Sequence, residues 1–246
     1  DHLEQLEVIV VVARAVVDHD HLAHQTVPLE QLEVIVVDDG SGDDTPGVLA
    51  DAARTMPNLV ALRQDRNRGP AAARNRGVAA ATAPLVLFFD DDVVAEPTSV
   101  ATHLSLHRGL GDGTTGVLGR VDWHPDLRVT PFMHWLDASG LQFGFDTWIQ
   151  PGPVEPPYAA FYTANLSLPK ALLERVGGFD ERFPHAAYED MELAWRLTAA
   201  GFRMRYHPEA RVFHARAIDL ETFRSRMRKV GESAELLRAV QPDFPI

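Results

Sequence analysis

Cysteine is absent from the 246 residues, so disulfides and thiolate metal sites are both excluded. A chain without thiols suits a reducing cytoplasm, the compartment expected here. No apolar run approaches the ~20 residues that a membrane-spanning helix needs. The opening residues Asp1, His2 and Glu4 lack the basic-then-apolar pattern of a secretory leader, so none is expected. Positive charge is scarce: 23 Lys and Arg stand against 35 Asp and Glu, a formal net charge of −12. That balance repels polyphosphate backbones, so nucleic acid is not expected as a partner. A smaller phosphate-bearing ligand would need a local cation, either a metal or clustered arginines.

What is present is ordinary for a globular protein, with 46% hydrophobic and 24% charged residues. The length allows one sizeable core, and no compositional break marks a domain boundary. Short β-branched runs alternate with Ala-rich helical stretches. Leu32–Val37 (LEVIVV) reads as a buried strand bounded by the turn residues Asp38–Gly42. Thr45–Met56 has helical spacing, with Asp43, Asp44 or Thr45 able to cap it. Asn58–Arg63, Pro84–Phe89 and Gly116–Val121 follow as strands, and Gly69–Thr82 and Pro97–Arg108 as helices. This alternation predicts an α/β fold with a mostly parallel central sheet flanked by helices. In such sheets ligands gather beyond the carboxyl ends of the strands.

Beyond Asp122 the periodicity breaks. Residues Asp122–Tyr158 hold Trp123, Trp135 and Trp148 among many Pro and Gly, and read as long loops with short elements. They either shape a binding region or simply cover the core. Helical patterning returns at Pro169–Val176, Glu189–Ala200 and Asp219–Val240, with short strands near Phe202–Tyr206 and Arg211–His214. One nonapeptide, LEQLEVIVV, occurs twice, at Leu3–Val11 and Leu29–Val37. It does not continue as a solenoid would; neighbouring strands of one sheet and a local duplication both remain open. His19, His21 and His24 between the copies read as a solvated loop or helix start rather than a metal cluster.

Four segments carry chemistry. FFDDDV at Phe88–Val93 places three consecutive carboxylates after an apolar strand, a repulsive arrangement that a hard divalent cation would relieve. In extended chain Asp90 and Asp92 project to one side. The ordinary alternative is a charged loop or helix cap. VIVVDDGSGDDT at Val34–Thr45 ends a buried strand in Asp38 and Asp39, with Gly40 permitting a sharp turn. Those carboxylates can accept hydrogen bonds from a ribose or base, or merely cap the next helix. NRGPAAARNRG at Asn67–Gly77 sets Arg68, Arg74 and Arg76 around a helix start, suited to an anion or to ordinary surface pairing. AYEDMELAWRL at Ala187–Leu197 places Glu189 and Asp190 at a helix start, where a carboxylate can serve as a general base or simply favour the dipole. Asn165 offers a polar contact before a GGFDE turn, and His214 follows a short strand.

In this order the motifs resemble family 2 glycosyltransferases of the GT-A fold. VIVVDDGSGDDT, NRGPAAARNRG, FFDDDV, NLSLPKALLERVGGFDERF and YEDMELAWRLTAAGF together cover most of Leu32–His214. The resemblance implies one domain over residues 1–246, with a nucleotide-binding half at 1–121 and an acceptor-binding half at 122–246. It implies an inverting transferase with a nucleotide-sugar donor, a carbohydrate or lipid-linked acceptor such as a cell-envelope precursor, and Mn²⁺ or Mg²⁺. Such an enzyme would be cytoplasmic, with room for peripheral contact at the inner face of the membrane. By position, Asp38, Asp39 and Arg74 would contact the donor, with Asp90 and Asp91 nearer its sugar or ribose. Asp92, with Asp90 and His214, would hold the metal. Asp190 would be the catalytic base, with Glu189 the second choice, while Asn165 and Trp135 would face the acceptor. The family's usual Pro-Thr-Tyr-Asn-like turn after the first strand is missing here; Val8–Val12 runs into Ala13, Arg14 and Ala15.

Two rival readings are a nucleotidyltransferase and a non-catalytic carbohydrate- or partner-binding relative. The former would want a Gly-rich basic loop after the first strand, and Ala13–Val17 has no Gly. A dehydrogenase is disfavoured by the lack of GxGxxG there.

Overall fold

A computed structural model describes residues 8–13 and 20–245. The segment 14–19, with Arg14 and His19, and the first part of the repeat, residues 3–7, lie outside the described residues. In chain order the elements begin with β1 (Val8–Ala13), α1 (Asp20–Ala23), β2 (Leu32–Asp38), α2 (Thr45–Thr55), β3 (Leu59–Arg63) and α3 (Pro70–Ala80). They continue with β4 (Leu85–Phe89), β5 (Val93–Ala95), α4 (Ser99–Leu110), β6 (Thr115–Trp123), α5 (Pro131–Ser139) and β7 (Gly152–Pro153). The last are β8 (Asn165–Pro169), α6 (Lys170–Val176), α7 (Glu189–Ala199), β9 (Arg203–His214) and α8 (Leu220–Val240).

One nine-stranded sheet runs β3-β2-β1-β4-β8-β6-β9-β5, with β7 on β9. Its first four strands are parallel, whereas β8 runs antiparallel to both β4 and β6. The sheet is thus mixed, parallel in the half that the repeated β-branched runs build. The two copies of the repeat sit side by side as β1 and β2, but Val8 pairs with Leu32 rather than with its repeat equivalent Val34, an offset of two residues.

The central strands are apolar on both faces because both faces are covered. Ile35 and Val37 of β2 and Val86 and Phe88 of β4 join one core with α3, α6 and α7. Val34 and Val36, with Leu87 and Phe89, join a second core with α2 and α4. Period-two alternation therefore feeds two cores across one sheet.

The stretch expected to be irregular contains α5. Thr130 caps it by accepting from Met133 N at 3.2 Å, Pro131 opens it, and Gly140 closes it in the left-handed region at φ 68°. The strands expected near Phe202–Tyr206 and Arg211–His214 are one strand, β9, kinked by a register shift opposite Gly119 and Arg120. A Cβ on Gly119 would collide with Asn165 Nδ2 and the Ala210 carbonyl, so glycine is required at this kink.

Candidate active site

Because β1, β2 and β4 are parallel, their carboxyl ends open on one edge of the sheet. Asp38 and Asp39 leave β2 there, and Asp90–Asp92 leave β4. Asp38 is 1% exposed; it accepts from Ser41 N at 2.8 Å and pairs with Arg63. Asp39 accepts from Gln64 Nε2 at 2.7 Å and from the amides of Arg68 and Gly69, each at 2.8 Å. These carboxylates fix the loop that delivers Pro70 to the start of α3.

The small residues Ala71, Ala72 and Ala73 let α3 lie close against the sheet, which carries Arg74 into the interior. Arg74 Nη1 donates to Glu189 Oε1 at 2.7 Å, and Nη2 donates to Asp90 Oδ1 at 3.2 Å. Its guanidinium also sits 5.6 Å from the centre of the Phe179 ring. One cation thus joins the end of β4 to the start of α7, 115 residues apart in sequence for the Glu189 pair. Burial works against the Arg74 charge, but Glu189 and Asp90 outweigh it and push the guanidinium's pKa up. Burial pushes the Asp90 carboxyl up, opposed by Arg74 and reinforced by Asp92. Glu189 Oε2 is buried and has no hydrogen-bond partner.

Asp190 stands beside this ion pair at the start of α7 and accepts from Met191 N at 2.7 Å. Burial first, then the negative charge of Glu189, push its carboxyl up to about 7, against the pull of Arg74. A carboxylate titrating there is suited to accept a proton at neutral pH.

The pairing of β5 with β9 sets Val93 opposite His214, which brings His214 back to the aspartates. His214 Nε2 lies 3.4 Å from Asp92 Oδ2. His214 Nδ1 lies 2.9 Å from the Arg216 carbonyl oxygen and 3.3 Å from the Arg216 amide nitrogen. The shorter contact is to an acceptor, so we assign the ring proton to Nδ1, which leaves the Nε2 lone pair facing Asp92. Arg216, not singled out in the sequence, reaches toward both carboxylates, 3.7 Å from Asp92 and 3.9 Å from Asp91. Among the described residues no three His, Asp or Glu side chains converge closely enough to hold a metal by themselves. Asp92 and His214 nevertheless turn a carboxylate oxygen and an imidazole lone pair on one spot. That donor pair fits Mn²⁺ or Mg²⁺ with a shell completed by substrate phosphates and water.

One expected contact looks different in place. Asn165 is fully buried and has no surface to offer an acceptor. Its Nδ2 donates to the carbonyls of Arg120 at 3.0 Å and Ala210 at 2.9 Å, and its Oδ1 lies 2.9 Å from His103 Nε2. The acceptor role expected for Asn165 is therefore corrected to a structural one, bracing the kink of β9. Trp135 is half exposed on α5 and stacks on Phe132 at 5.6 Å.

The cleft beside the aspartates, about 260 Å³, is lined by Arg120, Asp122, Trp123, Asp137 and residues 143–147. Trp123 packs edge-on against His214 at 5.3 Å and donates to Asp137 Oδ2 at 2.6 Å. Tyr162 is a further residue that the sequence did not flag. Burial and the neighbouring charge of Asp190 push its phenol up and keep it protonated. Its position inside an aromatic cluster with Phe143 and Phe145 left no periodic signal.

The family model "Glycosyl transferase family 2" matches residues 19–164, more than half of the chain. The protein belongs to glycosyl transferase family 2. A second model, "Glycosyl transferase family group 2", matches residues 131–231. Validoxylamine A glucosyltransferase of Streptomyces hygroscopicus subsp. jinggangensis is 34% identical over 208 residues, 77% of this chain and 49% of the relative. Pre-mycofactocin glycosyltransferase of Mycobacterium tuberculosis is 32% identical over 226 residues, 87% of this chain and 44% of the relative. The chain thus spans about half the length of these curated relatives. Among solved structures, the mannosyltransferase PcManGT from Pyrobaculum calidifontis in complex with GDP-Man and Mn²⁺ superposes with a TM-score of 0.68 at 23% identity. That match covers 97% of this chain and 65% of the other. S. aureus TarS 1-349 in complex with UDP gives a TM-score of 0.67 at 20% identity, covering 94% and 65%. This family 2 chain has the GT-A fold.

Proposed function

We propose that the protein transfers a sugar, with inversion, from a nucleoside-diphosphate sugar to a hydroxyl of a carbohydrate or lipid-linked acceptor. The observation that carries this reading is the placement of Asp190 at the start of α7, next to Glu189, which the buried Arg74 joins to Asp90 at the end of β4. Asp190 takes the proton from the acceptor hydroxyl as that oxygen attacks the anomeric carbon from the face opposite the leaving group. Arg74 restrains Asp90 and Glu189, so the charge around Asp190 is fixed before substrate arrives. Arg216, on the Asp91–Asp92 side, is placed to meet the charge released on the departing diphosphate. Asp92 and His214 would hold Mn²⁺ or Mg²⁺, which neutralises that same charge. Asp38 and Asp39 line the nucleoside side through the loops they brace. On this reading residues 1–121 serve the nucleotide and residues 122–246 the acceptor.

The relatives support the class of chemistry, since two of them are named for glycosyl transfer and one neighbour was solved with a nucleotide sugar and Mn²⁺. Among the described residues no helix is long and apolar enough to cross a membrane. The test is release of nucleoside diphosphate from a panel of nucleotide sugars with Mn²⁺ or with chelator, followed by NMR of the product's anomeric configuration. Metal-dependent release and an inverted product are expected. No release from any donor, with undisturbed folding, would favour a binding module without catalysis, and a retained configuration would reject the displacement by Asp190.

A further inference from the structure

We infer that α5 and the N-terminal half of α8 form a docking face for an anionic phospholipid surface, beside the cleft and apart from the transfer chemistry. From residue 220 to residue 229 every side chain of α8 is exposed except that of Phe223, which is partly covered, and the helix is first fully buried at Ser233. Leu220, Arg224, Met227 and Arg228 recur at spacings that put them on one side of the helix. Leu220 is 57% and Met227 38% exposed. Phe223 meets Phe132 of α5 edge-on at 5.7 Å, and Phe132 stacks on the half-exposed Trp135. The aromatic row therefore continues the α8 stripe onto α5.

Charge is segregated in the same place. Residues 216–229 hold Arg216, Arg224, Arg226, Arg228 and Lys229 against only Asp219 and Glu221, in a chain whose net charge is −12. Such a local excess of cations next to exposed Trp, Leu and Met matches an interfacial helix, whose apolar side chains enter the headgroup region while arginines meet anionic lipid. Arginine, methionine and aromatic side chains also mark protein interfaces, so what favours lipid here is the local excess of cations, which a diffuse anionic surface meets as a whole. Arg226 is held by Gln142 at 3.1 Å, whereas Arg224 and Arg228 stand exposed on the same side of the helix as Leu220 and Met227. Because α5 also carries Asp137, which lines the cleft, docking would set the cleft mouth close to the membrane plane.

The test is vesicle flotation of the intact protein with phosphatidylglycerol and with phosphatidylcholine vesicles. Binding to phosphatidylglycerol alone is expected, weakened by salt. The R224E/R228E double variant is expected to lose at least about tenfold in affinity, given ~1 kcal/mol per cation near an anionic surface. Both side chains are exposed, so thermal melting and donor affinity should stay as in the parent. Tryptophan emission should shift to the blue on vesicle addition, and less so in Trp135→Phe. Equal binding to both vesicles, or none at low salt, or binding indifferent to R224E/R228E, would overturn the assignment. So would a lipid-independent dimer in gel filtration that Leu220→Asp dissolves, because that face would then belong to a second copy.

Discussion

Arg74 donates to Glu189 across 2.7 Å in a place where both side chains are almost wholly withdrawn from water. Such a pair adds little net stability when intact, because desolvation offsets the attraction, but breaking it strands a buried charge. Arg74→Met is therefore expected to destabilise the protein by about 3–5 kcal/mol in urea unfolding. The double variant Arg74→Met/Glu189→Leu should recover most of that loss, since the deeply buried carboxylate leaves with its partner and Asp90, whose side chain is 37% exposed, can turn to water. A double variant no more stable than Arg74→Met alone would show that the pair is not the source of the cost.

Asp190 gives a second expectation, in pH. Its conjugate base is the reactive form, and the carboxyl sits at about 7, so kcat should fall about tenfold per pH unit below that value and level off above it. Because Arg74 lowers this carboxyl's affinity for protons, a conservative loss of that charge should move the profile to higher pH. Asp190→Asn should cost on the order of 10²–10⁴-fold in turnover while donor affinity persists. Stability carries the opposite sign: the folded state binds the proton more tightly than the unfolded chain. That contribution is present at acid pH and lost as pH rises through about 7, so Asp190→Asn should be the more stable protein in alkaline urea titrations. A pH profile unchanged by Asp190→Asn would remove the residue from the base role.

The parallel half of the fold and its acidic edge were legible because both signals are local. LEVIVV and PLVLFF are continuous apolar runs that end in aspartates, and the parallel pairing expected of alternating strands and helices puts those ends on one edge. Asn165 was misread for the opposite reason. Asn165 and Ser167 alternate with Leu166 and Leu168, which marks a strand with one polar face, but a polar residue facing a buried histidine looks identical in sequence to one facing a cleft. Arg216 and Tyr162 gained their meaning from the return of β9 and from loop packing, contacts that span the chain and leave no periodic trace. The helix α5 was legible in principle, since its Thr-Pro start and Gly stop were in plain view.

Asp92 and His214 lead to an expectation on metal. Asp92→Ala is expected to abolish the gain in donor affinity that Mn²⁺ provides, read by calorimetry with and without the ion. His214→Ala should reduce the same gain, by about 10–100-fold in metal affinity if its lone pair is a ligand or supports one. Donor affinity measured in chelator should be nearly untouched in both variants. An unaltered response to Mn²⁺ in Asp92→Ala would exclude this carboxylate from the metal site.

The polar interior behind the site supplies the last expectation. His103 and His107 on α4 both meet Ser167, at 2.7 and 2.8 Å, and His103 meets Asn165 Oδ1 at 2.9 Å. Asn165 Nδ2 already donates to two carbonyls, so its Oδ1 must accept from His103 Nε2–H, and His103 Nδ1 accepts from the Ser167 hydroxyl. Ser167 in turn accepts from His107 Nε2–H, and the chain needs the His103 ring neutral, since its Nδ1 must accept. Burial drives His103 down to about 3 and His107 to about 4; His207 on β9 adds to both shifts, whereas the Ser167 contact and Asp112 oppose that of His107. The unfolded chain therefore takes up these protons first as pH falls. The stability they represent is whole above pH ~6.5 and drains below it, at about 1.4 kcal/mol per pH unit for each ring. Urea titrations from neutral pH to pH ~4.5 should show that slope, and His107→Gln should remove roughly half of the histidine share, read as the difference between the two curves. Parallel curves for the parent and His107→Gln would mean that His107 is already charged in the folded protein.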